Sequence, residues 1–373
     1  MLGRRDDSLA FTLVVGATVV LGALTMLTLL SLSGAPTIAL VAVALAALPV
    51  VPLVACFVWL DRYEPEPTRL LVNALLWGAC AATAIAVLVD GVGGLFGPIA
   101  PDVSLAVVAP IAEESSKALF LVLLLWWRRR EIDGVLDGIV YAGLVGVGFA
   151  FTENVLYLTA AYDGTDGLGP GGLEGLTSTF LLRCLVGPFA HPLFTAFAGI
   201  GIGLAVTSGR RSVRMLAPIA GFSLAVIAHG VWNASTLLGR AEFAGVYAVL
   251  MVPAVLAIGA LALWARRDEA RMLTAGLEEA ARRGLIPATD IGWVVDLRAR
   301  RTARQHAARC AGREAALRMA EYQQALIELG FLHDRLLRGT APDDWSARAA
   351  DQVERIRTVR PHVAFPGQVV PTA

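Results

Sequence analysis

Ionisable side chains interrupt several apolar segments of this chain, each long enough to cross a membrane. The residues concerned are Glu113, Glu114, Lys117, Glu153, His191 and His229. A charged group at the centre of a bilayer costs about 2.5–3.5 kcal/mol on insertion scales, and an apolar residue would avoid that cost. Acids and imidazoles in such positions hold metal ions, transfer protons in catalysis or form the proton relays of transporters. We therefore expect these residues to share a functional site.

The depth of these residues along their helices supports a shared site. Glu113, Glu153 and His229 each lie about eight or nine residues from the outer end of a different apolar segment. At about 1.5 Å per residue, all three are expected roughly 12–14 Å below the outer surface. His191 is expected somewhat deeper. Four helices thus place acids and imidazoles near one level.

Helical spacing indicates which side chains share a face. Glu113 and Lys117 are four residues apart, as are His229 and Asn233, so each pair lies on one side of its helix. Glu114 points about 100° away from Glu113. We therefore expect only one of the two glutamates to face the site squarely, and favour Glu113.

Prolines and small residues predict how the helices bend and pack. Pro110 precedes the two glutamates by one turn, and Pro188 and Pro192 flank His191. Proline kinks a membrane helix and frees carbonyls, so bends here are expected to open a polar cavity. Small residues at four-residue spacing predict close contact between helices around the site. These are Gly134/Gly138, Ala142/Gly146/Ala150 and Gly199/Gly203.

Composition places the chain among polytopic membrane proteins. It is 56% hydrophobic with 17% charged residues, against about 25% charged in a typical soluble domain. Net charge is zero and no basic stripe stands out, which argues against a nucleic-acid partner. The four cysteines have no paired spacing, which argues against a disulfide framework or a cysteine-based zinc knuckle. We predict an all-α transmembrane bundle of about eight spans, the first an uncleaved span, at 11–31, 37–60, 70–90, 104–127, 134–161, 177–206, 216–238 and 242–264.

Arginines predict the orientation of the bundle. They occur at the N-terminus, at alternate loops and directly after the last span, whereas the other loops hold only Arg240. Because positive residues mark the cytoplasmic side, both termini are expected in the cytoplasm and the protein in the cell membrane.

Residues 265–373 form a different region, which we predict to be a cytoplasmic helical tail after a membrane domain at 1–264. Expected helices end at Gly284, run from about 290 to 338, and run from about 343 to 360. His306 and His333 lie among arginines and are expected at the surface. The last dozen residues are expected to be disordered.

Four of the polar motifs resemble those of one known family. They are EESSK (Glu113–Lys117), FAFTEN (Phe149–Asn154), GPFAHPLFTA around His191, and HGVWN (His229–Asn233). In this order, on successive spans, they resemble the PrsW intramembrane proteases, and DRYEPEP at 61–67 is similar to a stretch common in that family. Related CAAX-processing and bacteriocin-immunity proteases show EExxxR and often a histidine where this chain has Glu153. That departure favours the PrsW branch and makes prenylated substrates unexpected.

The resemblance implies cleavage of a membrane-anchored protein, such as an anti-sigma factor, near the extracytoplasmic face. The catalytic residues it implies are Glu113, Glu114, His191, His229 and Asn233, with Lys117, Phe149 and Asn154 in support.

Two hydrolytic schemes fit these residues. In the first, His191 and His229 hold Zn²⁺ together with Glu153 or Glu113, and the remaining glutamate acts as general base. In the second, which needs no metal, Glu113 activates water while His229 and Asn233 stabilise the oxyanion. Arg183 is expected to extend to the membrane interface rather than to pair with Glu153.

Two other classes of protein remain open. Buried acids and histidines also mark proton- or ion-coupled transporters, although the two halves of the chain show no convincing repeat. A scaffold with a degenerate site is the other alternative. The sequence leaves the substrate, the metal and the oligomeric state undetermined.

Overall fold

The fold was analysed on a computed structural model that describes residues 3–32, 36–93, 99–164 and 170–367. All regular secondary structure within these ranges is helical. The chain divides into two compact units. The membrane unit comprises Met1–Asp61 and Glu66–Ala262, and the tail unit comprises Arg62–Pro65 and Leu263–Ala373.

The α-helices of the membrane unit follow one another with short connections. They are α1 (Gly3–Leu32), α2 (Pro36–Leu60), α3 (Thr68–Leu76), α4 (Thr83–Gly93), α5 (Pro101–Val103), α6 (Ala109–Arg128), α7 (Val135–Asp163), α8 (Gly172–Phe180), α9 (Ala190–Thr207), α10 (Arg211–Leu238), α11 (Arg240–Val246) and the start of α12 (Val252–Arg282). Wider π-helical segments connect or extend several of them. These are Trp77–Ala82, Ser104–Val108, Leu181–Val186 and Tyr247–Met251.

Seven helical stretches of the described chain are long and apolar enough to cross a membrane, which confirms a polytopic helical bundle. They are Leu9–Ser31, Pro36–Leu60, Thr68–Gly91, Val135–Asp163, Gly172–Thr207, Arg211–Leu238 and Arg240–Arg282. The remaining predicted span, 104–127, is also helical. It is less apolar because it carries Glu113, Glu114 and Lys117, the side chains that mark it as unusual in the sequence.

Helix α7 is the central helix of the membrane unit. Almost all of it is buried, whereas the first two spans and the last two expose most of their surface. Glycines allow its neighbours to approach closely, as their spacing predicts. A Cβ on Gly138 would lie 2.1 Å from the carbonyl oxygen of Gly199, and one on Gly146 would lie 2.7 Å from that of His191. Helix α9, which carries His191, is thus held against α7 at backbone contact distance.

The sixth predicted span is broken beside His191. Its π-helical segment ends at Val186, and α9 begins at Ala190. Gly187, directly before Pro188, leaves the helical conformation with φ −110° and ψ 24°. The bend predicted from Pro188 and Pro192 is therefore present, and it places His191 in the first turn of α9.

The tail unit is built around its own apolar core. It contains the end of α12, then α13 (Gly292–Val295), α14 (Leu297–Leu337) and α15 (Trp345–Val359). Gly284, with φ +71°, follows α12, as predicted from the sequence. Helix α14 is kinked at Ala311–Gly312, where the backbone is not helical.

The expectation that His333 lies at the surface is wrong. His333 is fully buried rather than at the surface, because its side of α14 faces the core and its Nδ1–H donates to the carbonyl of Leu329 at 3.0 Å. Of the last dozen residues, which the sequence predicts to be disordered, Phe365 is fully buried and stacks on Trp293 with ring centroids 5.3 Å apart. Residues 368–373 lie outside the described residues.

Candidate active site

Four helices bring the ionisable residues of the membrane unit together. Helix α6 carries Glu113, Glu114 and Lys117, α7 carries Glu153, α9 carries His191 and α10 carries His229. Glu113, His191 and His229 each offer one ligand atom, and these three atoms lie within 4.8 Å of one another. Both histidines are buried and Glu113 is partly exposed. These three residues form the candidate metal set.

His229 is oriented by Glu114. Its Nδ1 lies 3.0 Å from Oε1 of Glu114, and its Nε2 lies 3.7 Å from Oε2 of Glu113. Because an ionised carboxylate only accepts hydrogen bonds, Nδ1 carries the proton and Nε2 presents its lone pair toward Glu113. The ring of Phe194 stacks on His229 with centroids 4.8 Å apart.

His191 is oriented in the same way by Glu153. Its Nε2 lies 2.5 Å from Oε2 of Glu153, and its Nδ1 lies 3.0 Å from Nζ of Lys117. An ammonium group can only donate, so Nδ1 holds a lone pair and Nε2–H donates to Glu153. Each imidazole therefore gives one N–H to a carboxylate, as metal-binding histidines typically do. The lone pair on the other nitrogen faces Glu113 in His229 and accepts from Lys117 in His191.

Lys117 lies among the acids and imidazoles. Its fully buried ammonium is 2.8 Å from Glu114, 3.4 Å from Glu113 and 3.0 Å from His191, and 3.7 Å from the ring centroid of Phe149. The expectation that only one glutamate faces the site is wrong, since Lys117 and His229 each contact both glutamates. Phe149, predicted to support the site, also lies 5.2 Å from the ring of His191.

Arg183 is a site residue that the sequence reasoning misplaced. It pairs with Glu153 through Nη2, and its Nε donates to Oδ1 of Asn154 at 2.8 Å. Its guanidinium also stacks on Tyr157, 4.0 Å from the ring centroid. The expectation that Arg183 extends to the membrane interface is therefore wrong. An arginine in an apolar span was the available signal, and the buried acids offered it a partner.

Two further polar residues differ in their relation to the site. Asn233, predicted to stabilise the oxyanion, donates from Nδ2 to the carbonyl of Leu105 at 2.9 Å, within a π-helical segment whose carbonyls are less regularly paired. Thr195, which the sequence reasoning did not single out, lies one turn after His191 and donates to Oε2 of Glu114 at 3.2 Å. Glu114 thus accepts from three different helices.

The charges of this cluster favour a bound cation. Glu113, Glu114 and Glu153 supply three carboxylates against the two cations Lys117 and Arg183, with both imidazoles neutral in the pattern above. One negative charge is left among buried groups, where a missing counter-charge is costly. Two imidazole lone pairs and a carboxylate oxygen are also the donor types that zinc takes in hydrolytic sites. The residues present therefore fit a divalent metal ion.

A helical membrane bundle with a Glu–His–His cluster within it is the arrangement expected of an intramembrane metal-dependent hydrolase. The comparison with known families agrees: residues 66–258 match the family described as PrsW family intramembrane metalloprotease. Since the match covers more than half of the 373 residues, the chain belongs to this family and is an intramembrane peptidase.

Two curated proteins are similar over much of their length. Protease PrsW of Geobacillus kaustophilus is 29% identical over 181 residues, which cover 48% of this chain and 73% of the relative. Protease PrsW of Oceanobacillus iheyensis is 26% identical over 208 residues, which cover 56% of this chain and 82% of the relative. No solved structure matches the chain.

Proposed function

We propose that this peptidase cleaves a membrane-anchored protein of the anti-sigma-factor type, close to the extracytoplasmic face, with Zn²⁺ held by Glu113, His191 and His229. One observation carries the proposal: three helices bring these three ligand atoms within 4.8 Å, and the other nitrogen of each imidazole contacts a carboxylate. That pattern fixes the orientation of both rings. The lone pair of His229 faces Glu113, and that of His191 becomes available to a metal ion when the Lys117 ammonium moves off it.

The metal and the protein contribute different parts of the chemistry. When bound, Zn²⁺ would polarise the carbonyl of the scissile peptide and make a water molecule easier to deprotonate. Glu114 and Glu153 hold the two imidazoles in the required tautomers. Lys117 balances the charge of Glu113 and Glu114, both within 3.4 Å of its ammonium.

The structure favours Glu113 over Glu153 as the carboxylate ligand. Glu153 already accepts from Arg183 and His191, so its role is to orient His191. Glu113 is held more loosely, because its side chain lies 3.4 Å from Lys117 and 3.7 Å from His229. In the metal-free alternative, the same loose contacts leave Glu113 as the base that takes a proton from water. We assign Asn233 a positioning role through its bond to Leu105.

The substrate class rests on the resemblance and on depth. Sequence counting places Glu113, Glu153 and His229 in the outer half of their spans if the arginine-rich loops face the cytoplasm. A site at that depth reaches a transmembrane segment near its extracytoplasmic end. A single-span protein whose external domain must be released fits this position.

The test is cleavage of a single-span reporter by the full chain reconstituted in proteoliposomes. Glu113→Gln is nearly isosteric and is expected to abolish cleavage. Glu174→Gln, a matched change at an exposed position of α8, is expected to leave it unchanged. Removal of metal with a chelator should stop wild-type cleavage, and zinc should restore it. Unimpaired cleavage by Glu113→Gln, or wild-type proton flux without cleavage, would overturn the proposal.

A further inference from the structure

The first part of α14 concentrates positive charge. Residues 297–313 contain six arginines and no aspartate or glutamate, although the whole chain has 31 basic and 31 acidic residues. The arginines are Arg298, Arg300, Arg301, Arg304, Arg309 and Arg313. The expectation that the chain has no basic stripe is therefore wrong for this helix. The net charge of zero gave no sign of the stripe, because acidic residues elsewhere in the chain balance these arginines.

Three of these arginines share one exposed face, which we call the arginine face: Arg298, Arg301 and Arg309. At about 100° per residue they fall within roughly 80° of one another around the helix axis. Ala303 and Ala307 lie on the opposite side, in the apolar core of the tail unit. The core thus fixes the helix so that the arginine face is turned to the solvent.

Two other arginines of the segment make side-chain hydrogen bonds, whereas within the described residues the side chains of the arginine face make none. Arg300 is buried and donates to the carbonyls of Val294, Arg62 and Tyr63, and Arg304 donates to Gln323. Within the described residues, no ion pair involves Arg298, Arg301 or Arg309. Their charges are available to an external anion.

The residues between these arginines are short or polar. Thr302, Gln305 and Ala308 occupy the same side of the helix and are exposed. Large apolar side chains that could insert into hydrocarbon are missing from this face of the described helix. The face therefore fits a flat anionic surface that it touches through charge alone, with guanidinium groups bound to phosphate.

We propose that the arginine face docks on anionic phospholipid headgroups. The chain supplies the argument for lipid over other polyanions. Helix α12 (Val252–Arg282) begins in the membrane unit, which ends at Ala262, and runs without interruption into the tail unit, so the tail is tethered to the bilayer by the protein itself. Tethering makes docking an intramolecular event with a high effective concentration of lipid. A nucleic acid carries the same phosphate chemistry but lacks this advantage.

Each arginine near an anionic surface strengthens binding by about fivefold, and salt screens the effect. Loss of all three arginines is therefore expected to lower the ratio of docked to free tail by about a hundredfold.

The experiment uses Cys310, which is exposed on the same helix. The full chain, with Cys56, Cys80 and Cys184 replaced by alanine, is labelled at Cys310 with a fluorophore and placed in lipid nanodiscs that contain a headgroup-attached quencher. Nanodiscs of phosphatidylcholine alone are compared with nanodiscs that contain phosphatidylglycerol. Quenching is expected only with phosphatidylglycerol, and is expected to disappear at high salt.

The test variant is the triple change Arg298→Gln, Arg301→Gln and Arg309→Gln, which is expected to abolish the lipid-dependent quenching. The matched control removes three exposed arginines that are already paired with glutamates, and should quench like the wild type. The control changes are Arg282→Gln, Arg318→Gln and Arg355→Gln. Equal quenching in both lipids, or in the triple variant, would overturn the proposal. So would release of the tail from the anionic nanodisc by stoichiometric single-stranded RNA, which would identify a nucleic-acid partner.

Discussion

Gly146 sets the position of His191, and replacing it by alanine should impair catalysis without unfolding the protein. A Cβ at this position would lie 2.7 Å from the carbonyl oxygen of His191 and 2.7 Å from the backbone of Pro192. Ordinary contacts begin near 3.4 Å, so the backbone that carries His191 must move by about 0.7 Å. Neither partner atom belongs to a flexible side chain that could give way.

A displacement approaching 1 Å at a reacting group can reduce a rate about a hundredfold. We therefore expect Gly146→Ala to lower kcat for the single-span reporter by roughly 10- to 100-fold, with a smaller change in KM. Alanine also has the higher helix propensity, by about 1 kcal/mol, which offsets part of the packing strain. The midpoint of unfolding in detergent should consequently fall only a little.

Gly259→Ala is the matched control, because a Cβ at that position of α12 meets no atom within 4 Å. It should keep wild-type kcat and gain slightly in stability. If Gly146→Ala retains wild-type kcat while folded, the close approach of α7 to His191 does not control the geometry of the site, and the reasoning fails.

Three further changes probe other parts of the structure. Arg183→Gln should lower kcat about 10- to 100-fold with little change in KM, because the arginine acts through Glu153. Arg183→Lys, which keeps the positive charge, should retain part of the wild-type kcat. Equal kcat in the wild type and both variants would contradict this role. Lys117→Met should destabilise the fold by about 3–5 kcal/mol in detergent unfolding, since it removes the cation that pairs with buried carboxylates. Arg282→Met, at a side chain that is 70% exposed, should cost under about 1 kcal/mol. Burial lowers the pKa of His333, so as pH falls the unfolded chain binds a proton at this residue before the folded chain does, and the tail should gain stability as pH rises toward about 6.5. Hydrogen exchange of α14 in the full chain should show this gain. A His333→Phe variant with the same pH profile would refute the prediction.

Helical geometry explains which parts of the site could be predicted. The depth of a residue in a span and the face it occupies follow from a fixed rise and turn per residue, so Glu113, His191 and His229 could be placed near one level from the sequence. The small residues of α7 and α9 indicated the close contact of those helices. Depth, helix face and the spacing of small residues can each be read from the sequence of a single helix.

The pairings between helices were less accessible, because they depend on rotations and breaks that no single segment specifies. Arg183 reaches Glu153 across the contact with α7, just before the break at Gly187. Lys117 contacts both glutamates because Glu114 and Glu113 lie three and four residues before it, both within reach of a long side chain. The burial of His333 was hidden by the arginines around it in the sequence, which lie on other sides of α14.

The amount of zinc bound per purified chain tests the central claim most directly. Native mass spectrometry of the full chain should show one zinc ion in the wild type and in Asn233→Ala, and little or none in His191→Ala and His229→Ala. A wild type that cleaves its substrate without any bound metal ion, or histidine variants that keep the full complement of zinc, would contradict the assignment of Glu113, His191 and His229 as the metal site.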